Sequence, residues 1–98
     1  MMKSIIKKEK VKGYFVVSND RGLHTRPSTE IVKCASFFKA EVMLSYQRQR
    51  VNAKSILGVL MLAASKGARI SIEAVGDDAK EAVSSLLELA RQNFKIKY

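Results

Sequence analysis

The residues best suited to chemistry lie in the stretch GLHTRPS, residues 22–28, which holds the chain's single histidine and single proline. An uncharged imidazole at His24 carries a lone pair that can act as a nucleophile, and Arg26 adds a permanent, forked positive charge. Phosphoryl transfer asks a protein mainly for positioning and charge stabilisation. His24 and Arg26 together favour a phosphoryl-acceptor site, although a histidine that only shapes a turn or caps a helix fits the same spacing.

An amphipathic helix is predicted directly after this stretch, from Thr25 to about Phe38, because apolar residues recur at i, i+3, i+4 and i+7. These residues are Ile31, Cys34, Ala35 and Phe38. Pro27 suits the first turn of a helix, where no N–H donor is needed, and Gly22 suits a sharp turn before it. His24 is therefore expected at the helix N-terminus, where free N–H groups and the helix dipole disfavour a charged ring and attract a phosphate.

Two more helices are predicted further along the chain. One occupies KSILGVLMLAA, residues 54–64, with Ser55 as its N-cap and Gly67 as the left-handed residue after its end in SKG. The other begins after Asp78, whose spacing to Glu81 resembles a capping box. The face that this last helix buries is expected to consist of Val83, Leu86, Leu87, Ala90 and Phe94.

Four β-rich segments lie between the helices, and the clearest is RISIEAV, residues 69–75, in which apolar and polar residues alternate. The others are YFVVS at 14–18, EVMLSY at 41–46 and RVNA at 50–53. The resulting order is β-α-β-β-α-β-α. Strands that alternate in this way have one wet face and one face covered by helices, which predicts a two-layer α+β sandwich.

Composition limits the classes of protein and of site that remain possible. The longest apolar run, residues 56–64, is far shorter than the ~20 residues of a membrane span, and the charged N-terminus has no apolar core of secretory type. We therefore expect a cytoplasmic protein without a membrane span. Cys34 is the only cysteine, and one cysteine with one histidine is not a standard metal-ligand set. Neither a metal nor a cofactor is expected, and Cys34 reads as a small hydrophobe on the inner face of its helix.

The net charge of +9 is high for 98 residues. Residues 1–11 form a basic lead-in, and residues 12–98 are long enough for a single domain. A strongly basic chain favours acidic partners. Nucleic acid is disfavoured among them, because the basic residues are scattered and the few aromatic residues are not interleaved with them.

GLHTRPS followed about thirty residues later by VNAKSILGVLMLAASKGARISI resembles the histidine-containing phosphocarrier protein (HPr) family of the bacterial phosphoenolpyruvate-dependent sugar phosphotransferase system. The resemblance covers about residues 12–90. It implies an open-faced β-sandwich, with a four-stranded antiparallel sheet and three helices on one face. It further implies a monomer in which enzyme I phosphorylates His24 on Nδ1, and from which enzyme II A-type components take the group during sugar transport. Arg26 would stabilise the phosphate, and Thr25 and Pro27 would shape the loop that meets the partners.

The resemblance also implies that Ser55 is a regulatory phosphorylation site for an ATP-dependent HPr kinase. A phosphate there would add about two negative charges beside an apolar face formed by Ile56, Leu57 and Leu60, and would hinder docking on that face. A plain N-cap explains Ser55 as well. Two functions therefore stay open. One is a phosphocarrier that is not an enzyme in the turnover sense, and the other is a mainly regulatory binding protein that is controlled by phosphorylation of Ser55 and has little role in sugar transport. Ser28 stands where alanine is common in the family, and its hydroxyl either lies near the phosphate or has no role.

Overall fold

The order of elements in the computed structural model, which describes residues 9–95, is the predicted β-α-β-β-α-β-α. A short 3₁₀ turn follows the last helix. The bounds are β1 Lys10–Val16, α1 Thr25–Ser36, β2 Glu41–Tyr46, β3 Gln49–Asn52, α2 Ile56–Met61, β4 Arg69–Val75, α3 Ala79–Arg91 and the 3₁₀ turn Asn93–Lys95. Most of the predicted basic lead-in, residues 1–8, lies outside the described residues, and its last two residues belong to β1.

The four strands form one antiparallel sheet in the order β1-β4-β2-β3. Helices cover one face: a Cβ added to Gly13 of β1 would lie 3.0 Å from a side-chain carbon of Val83 in α3. On the other face Tyr14 and Val16 are exposed. This arrangement confirms the predicted open-faced, two-layer α+β sandwich.

The core lies between the sheet and the helices, as the alternation of β4 predicts: Ile70 and Ile72 are buried while Arg69 and Ser71 are exposed. Phe94, from the 3₁₀ turn, closes one end of the core and meets Phe15 edge-to-face at a centroid distance of 5.6 Å. Other large, fully buried side chains are Ile31, Leu44, Leu86, Val17, Val42 and Val59. None of the helices within residues 9–95 is both long and apolar enough to cross a membrane.

The second helix is shorter than the sequence predicts, because α2 ends at Met61 rather than in SKG. The left-handed residue after it is Ala63, with φ 50°, whereas Gly67, with φ 92°, lies just before β4. The cause is tertiary. The chain leaves the helix so that Leu62 and Ala64 are buried in the core, and the carbonyl of Ala64 accepts the N–H of Leu23 at 2.8 Å.

Asp78 does not form the predicted capping box. It occupies the N-cap position of α3, but its side chain makes no capping bond there. Its carboxylate instead accepts the backbone N–H of Lys39 at 2.9 Å and that of Ala40 at 2.8 Å. These bonds, with that from Lys39 first, hold the pKa of the Asp78 carboxyl below its usual value. Asp78 thus joins the start of α3 to the connection between α1 and β2.

Candidate functional site

His24 is the N-cap residue of α1, which confirms the position that the sequence predicts for it. Its backbone is extended, with φ −86° and ψ −161°, and its ring makes no capping hydrogen bond. The first hydrogen bond of the helix runs from the Ser28 N–H to the His24 carbonyl at 3.0 Å. The half-buried ring is therefore not used in closing the helix.

Two backbone amides remain unused by the helix directly beside His24. Those of Thr25 and Arg26 precede the first helical hydrogen bond, and Pro27 has no N–H at all. Donors at this end of a helix, together with the positive end of its dipole, favour an anion such as a phosphoryl group. A phosphate on the His24 ring would lie beside the positive end of α1.

The turn before His24 is held against the segment that follows α2. Leu23 donates its N–H to the Ala64 carbonyl at 2.8 Å. Gly22 adopts φ 69°, and a Cβ at this position would overlap the same Ala64 oxygen. Position 22 therefore needs glycine for two reasons, the left-handed backbone and the close approach of another chain segment.

Two buried polar residues complete this turn, and sequence reasoning missed the first of them. Asn19 donates from Nδ2 to the Gly22 carbonyl at 2.5 Å. Ser28 donates from Oγ to the Leu23 carbonyl at 3.1 Å. The Ser28 side chain is fully buried, so its hydroxyl supports the turn and is not presented to a phosphate. The signal for Asn19 was its place in NDRG, since asparagine is favoured in turns for such side-chain-to-backbone bonds.

Arg26 and Thr25 are exposed next to His24, while Pro27 is buried in the first turn of α1. Thr25 and Arg26 line a small surface depression together with Lys95, which belongs to the 3₁₀ turn. The half-buried carboxylate of Glu30, also at this depression, has Lys95 at 4.0 Å and Lys33 at 3.7 Å. Cationic groups from two parts of the chain therefore meet beside the first turn of α1.

The exposed apolar face of α2 differs from the sequence prediction at the C-terminal end of the helix. Leu57 is 70% exposed, and Ile56 is exposed to a smaller degree. Leu60, predicted to belong to this face, is half-buried. Met61 is 68% exposed and lies one helical turn from Leu57. Met61 is not among the residues that the sequence predicts for this face.

Ser55 is the N-cap of α2, as predicted, and its Oγ accepts the N–H of Gly58 at 3.1 Å. The neighbouring Lys54 donates from Nζ to the Phe38 carbonyl at 2.7 Å. The structure thus shows the capping role of Ser55.

Within residues 9–95, no group of three or more His, Cys, Asp or Glu residues is arranged to hold a metal ion. Cys34 is half-buried on α1, and burial raises the pKa of its thiol. A thiol with a raised pKa is a poor nucleophile at neutral pH. Cys34 therefore does not compete with the His24 imidazole as a candidate nucleophile.

Comparison with known proteins matches residues 11–92 to the family model of the PTS HPr component phosphorylation site. The structure of HPr-C-His from Thermoanaerobacter tengcongensis is 33% identical, with a TM-score of 0.85 over 90% of this chain and 99% of that one. The phosphocarrier protein HPr of Bacillus anthracis is 38% identical, with a TM-score of 0.74 over 79% of this chain and 92% of that one.

A third similar structure is that of Crh, the catabolite repression containing protein of Bacillus subtilis, described as a dimer with a swapping domain. It is 29% identical to this chain, with a TM-score of 0.68 over 94% of this chain and 91% of Crh. The similar structures thus include both phosphocarrier proteins and a protein of catabolite repression.

Proposed function

The chain belongs to the HPr phosphocarrier family of the phosphotransferase system, and we propose that His24 is the residue that accepts and passes on the phosphoryl group. The observation that carries this proposal is the position of His24 as the N-cap of α1, next to two amides that the helix leaves unused. A nucleophile and an anion-binding helix end meet there without a metal.

The transfer is a displacement at phosphorus. The lone pair of the His24 ring nitrogen, Nδ1 by resemblance to the family, forms a new N–P bond. The bond between phosphorus and its donor, the phosphorylated enzyme I, breaks at the same centre, and its electron pair leaves with the donor. Transfer to an enzyme II A-type component repeats this step with His24 as the leaving group. The chain is therefore a stoichiometric carrier and is regenerated by each transfer.

The phosphoryl oxygens need compensation for their charge. The amides of Thr25 and Arg26 supply two donors, and charge-assisted bonds of this kind are stronger than neutral ones. The guanidinium of Arg26 can add a forked contact, because Arg26 is exposed and lies two residues after His24. These contacts strengthen as charge on the transferring group develops, which is the main way in which proteins assist phosphoryl transfer.

The docking surface for both partners is proposed to be the exposed apolar face of α2, formed by Ile56, Leu57 and Met61, with Leu60 at its buried margin. Thr25, which is exposed, would form the edge of this surface near His24. Pro27, also predicted to meet the partners, is buried in the first turn of α1 and would act only by shaping the loop. The bond from Leu23 to Ala64 supports this assignment, because it joins the segment directly after α2 to the turn that carries His24. Apolar side chains surrounded by polar groups are typical of protein interfaces. We propose that the chain docks as a monomer, in contrast to the Crh dimer.

A regulatory role through Ser55 is the second candidate function. Its support is the position of Ser55 at the start of α2, directly before the proposed docking residues Ile56 and Leu57. A phosphate at a helix N-cap is stabilised locally by the dipole, so modification can alter docking without unfolding α2. The similarity to Crh favours a regulatory use of this scaffold.

Two incubations separate the candidate functions. With phosphoenolpyruvate and enzyme I, the chain should acquire an acid-labile, base-stable phosphate that His24→Ala cannot form. With ATP and an HPr kinase, it should acquire an acid-stable phosphate that Ser55→Ala cannot form. Only the second product would be found if the protein is mainly regulatory. Absence of both would reject the two functions together.

A further inference from the structure

The side chain of Asn19 is almost completely buried in the turn that leads into α1, with 2% of its surface exposed. Its Nδ2 donates to the Gly22 carbonyl at 2.5 Å. Gly22 in return donates its N–H to the Asn19 carbonyl at 3.1 Å. These reciprocal bonds close residues 19–22 into one rigid unit. The acceptor opposite the carboxamide also determines its orientation, since an oxygen in place of Nδ2 would repel the carbonyl.

The Gly22 carbonyl has a second donor, which is the backbone N–H of His24 at 3.0 Å. A bond between residues two apart is a γ-turn, and here it is centred on Leu23. A γ-turn is a tight structure held by one hydrogen bond. Because both donors meet at one oxygen, the direction in which Asn19 holds the Gly22 carbonyl also determines where His24 can bond.

We infer that Asn19 is a positioning residue for phosphoryl transfer, acting on His24 through the carbonyl of Gly22; this inference rests on the function proposed above. With the carbonyl held, the His24 N–H stays engaged in the turn and the His24 backbone keeps the extended conformation of an N-cap. The amides of Thr25 and Arg26 then remain as donors for the phosphate. Without Asn19, the γ-turn alone must hold His24 in this arrangement.

The other end of the carboxamide supports a positioning role over a purely stabilising one. The Oδ1 of Asn19 is buried and has no hydrogen-bond partner in the described part of the chain. Burying an unpaired amide oxygen is unfavourable, and an apolar residue of similar size would avoid this cost. The donor half of the side chain is the half that the turn uses, and it is directed at the carbonyl that binds His24.

The first test is amide hydrogen exchange in the unphosphorylated full-length chain, measured by NMR. Asn19→Ala should speed exchange of the His24 amide by roughly three- to tenfold, as expected from the net contribution of one hydrogen bond. The amide of Ala53, bonded to the Val42 carbonyl at 2.8 Å in the sheet region, serves as the reference. A general loss of stability would speed exchange at Ala53 as well, whereas a positioning role changes His24 selectively.

Asn19→Asp separates the two ends of the carboxamide, because it keeps the Oδ1 acceptor and replaces the Nδ2 donor by an oxygen. Asn19→Asp should speed exchange of the His24 amide at least as much as Asn19→Ala does. It can replace the alanine variant in this test if that variant folds poorly. Asn52→Ala is the matched control. The Asn52 side chain also bonds a backbone group in a turn, the Lys54 N–H at 2.8 Å, and its removal should leave the His24 amide unchanged.

The second test is the rate at which phosphorylated enzyme I transfers its group to each variant. Both Asn19 variants should lower kcat several-fold and leave KM unchanged, because the docking face of α2 is not altered. Unchanged exchange of the His24 amide together with an unchanged kcat would overturn the inference. An Asn19→Asp variant that behaves like the wild type would also overturn it, because the Nδ2 donor would then not be what matters. If the wild-type chain accepts no phosphate, the proposed function fails. The exchange measurement then still decides whether Asn19 holds His24.

Discussion

Leu23 and Ala64 are joined by a backbone hydrogen bond of 2.8 Å, which attaches the residue before His24 to the segment that follows α2. Ser28 of α1 bonds the carbonyl of the same Leu23 at 3.1 Å. The short turn that carries His24 is therefore held from α1 and from the segment that follows α2, which are separate in the sequence. This attachment links the proposed phosphoryl acceptor to the proposed docking face of α2.

Gly22→Ala is expected to destabilise the protein more than Gly67→Ala does. Both glycines have positive φ, 69° and 92°, and the left-handed conformation costs other residues roughly 1–2 kcal/mol. A Cβ at position 22 would also overlap the Ala64 carbonyl, whereas nothing lies within 4 Å of one at position 67. Urea unfolding should show a loss of about 1–2 kcal/mol for Gly67→Ala and a larger loss for Gly22→Ala. Equal losses would mean that the turn moves away from Ala64 at no cost.

Arg26→Gln should slow phosphoryl transfer to His24 by roughly ten- to a hundredfold, the range expected when one charge-assisted hydrogen bond of ~1.5–3 kcal/mol is removed. Arg26→Lys should recover only part of the rate, because lysine lacks the forked geometry of arginine. Single-turnover transfer from phosphorylated enzyme I measures the effect. Arg48→Gln, which removes an exposed arginine from the turn between β2 and β3, is the matched charge control. A similar loss in that variant would indicate that only net charge matters.

Leu57→Ala and Met61→Ala should each weaken docking with little change in stability, since both side chains are largely exposed. Residues that contribute most to an interface cost more than ~1 kcal/mol when truncated, so KM for enzyme I should rise by about fivefold or more. Phe37→Ala is the control, because Phe37 is an apolar residue that is 84% exposed at the opposite end of α1 from His24. An effect confined to Phe37 would move the docking surface away from α2.

Ser55→Ala and Ser55→Asp should separate the capping role of Ser55 from its proposed regulatory role. Alanine loses the bond from the Gly58 N–H, so the free energy of unfolding should fall by about 1 kcal/mol. Aspartate keeps a capping acceptor and should preserve stability. Aspartate nevertheless places a negative charge beside Ile56 and Leu57, and should therefore slow phosphorylation of His24 by enzyme I more than alanine does. The opposite order would reject control by charge at this position.

Asp78→Asn should reduce the dependence of stability on pH. The N–H of Lys39, and then that of Ala40, hold the pKa of the Asp78 carboxyl below its usual value, so the folded state binds the proton less readily than the unfolded state. This stabilisation is complete above the unfolded pKa of ~3.9 and is lost as the pH falls through the lower folded pKa.

The measurement is the urea midpoint between pH 7 and pH 2. Asp78→Asn should be less stable than wild type at pH 7, because each carboxylate oxygen accepts one of the two N–H groups and the NH2 that replaces one oxygen in asparagine cannot accept a hydrogen bond. The difference should shrink on acidification. Asp77→Asn removes the same charge from the neighbouring residue without touching these two bonds. A difference between wild type and Asp78→Asn that stays constant with pH would contradict the linkage.

The elements of this fold could be predicted because each depends on residues close together in the chain. The alternation in β4 placed Ile70 and Ile72 in the core, and the 3.6-residue period of α1 did the same for Ile31 and Ala35. The turn residues around His24 indicated where that helix begins. Ser55 was recognisable as a cap for the same reason, since its partner Gly58 is only three residues away.

Local patterns by themselves determined that a lone imidazole begins a helix in a two-layer α+β protein. Tertiary structure decided where α2 ends and that Met61 is exposed. It also decided that Asp78 bonds the distant amides of Lys39 and Ala40 instead of capping its own helix. It also placed Asn19 in the interior, behind the turn that holds His24. These features follow from backbone groups of distant segments that must find partners once they are buried, and no local periodicity records which segments meet.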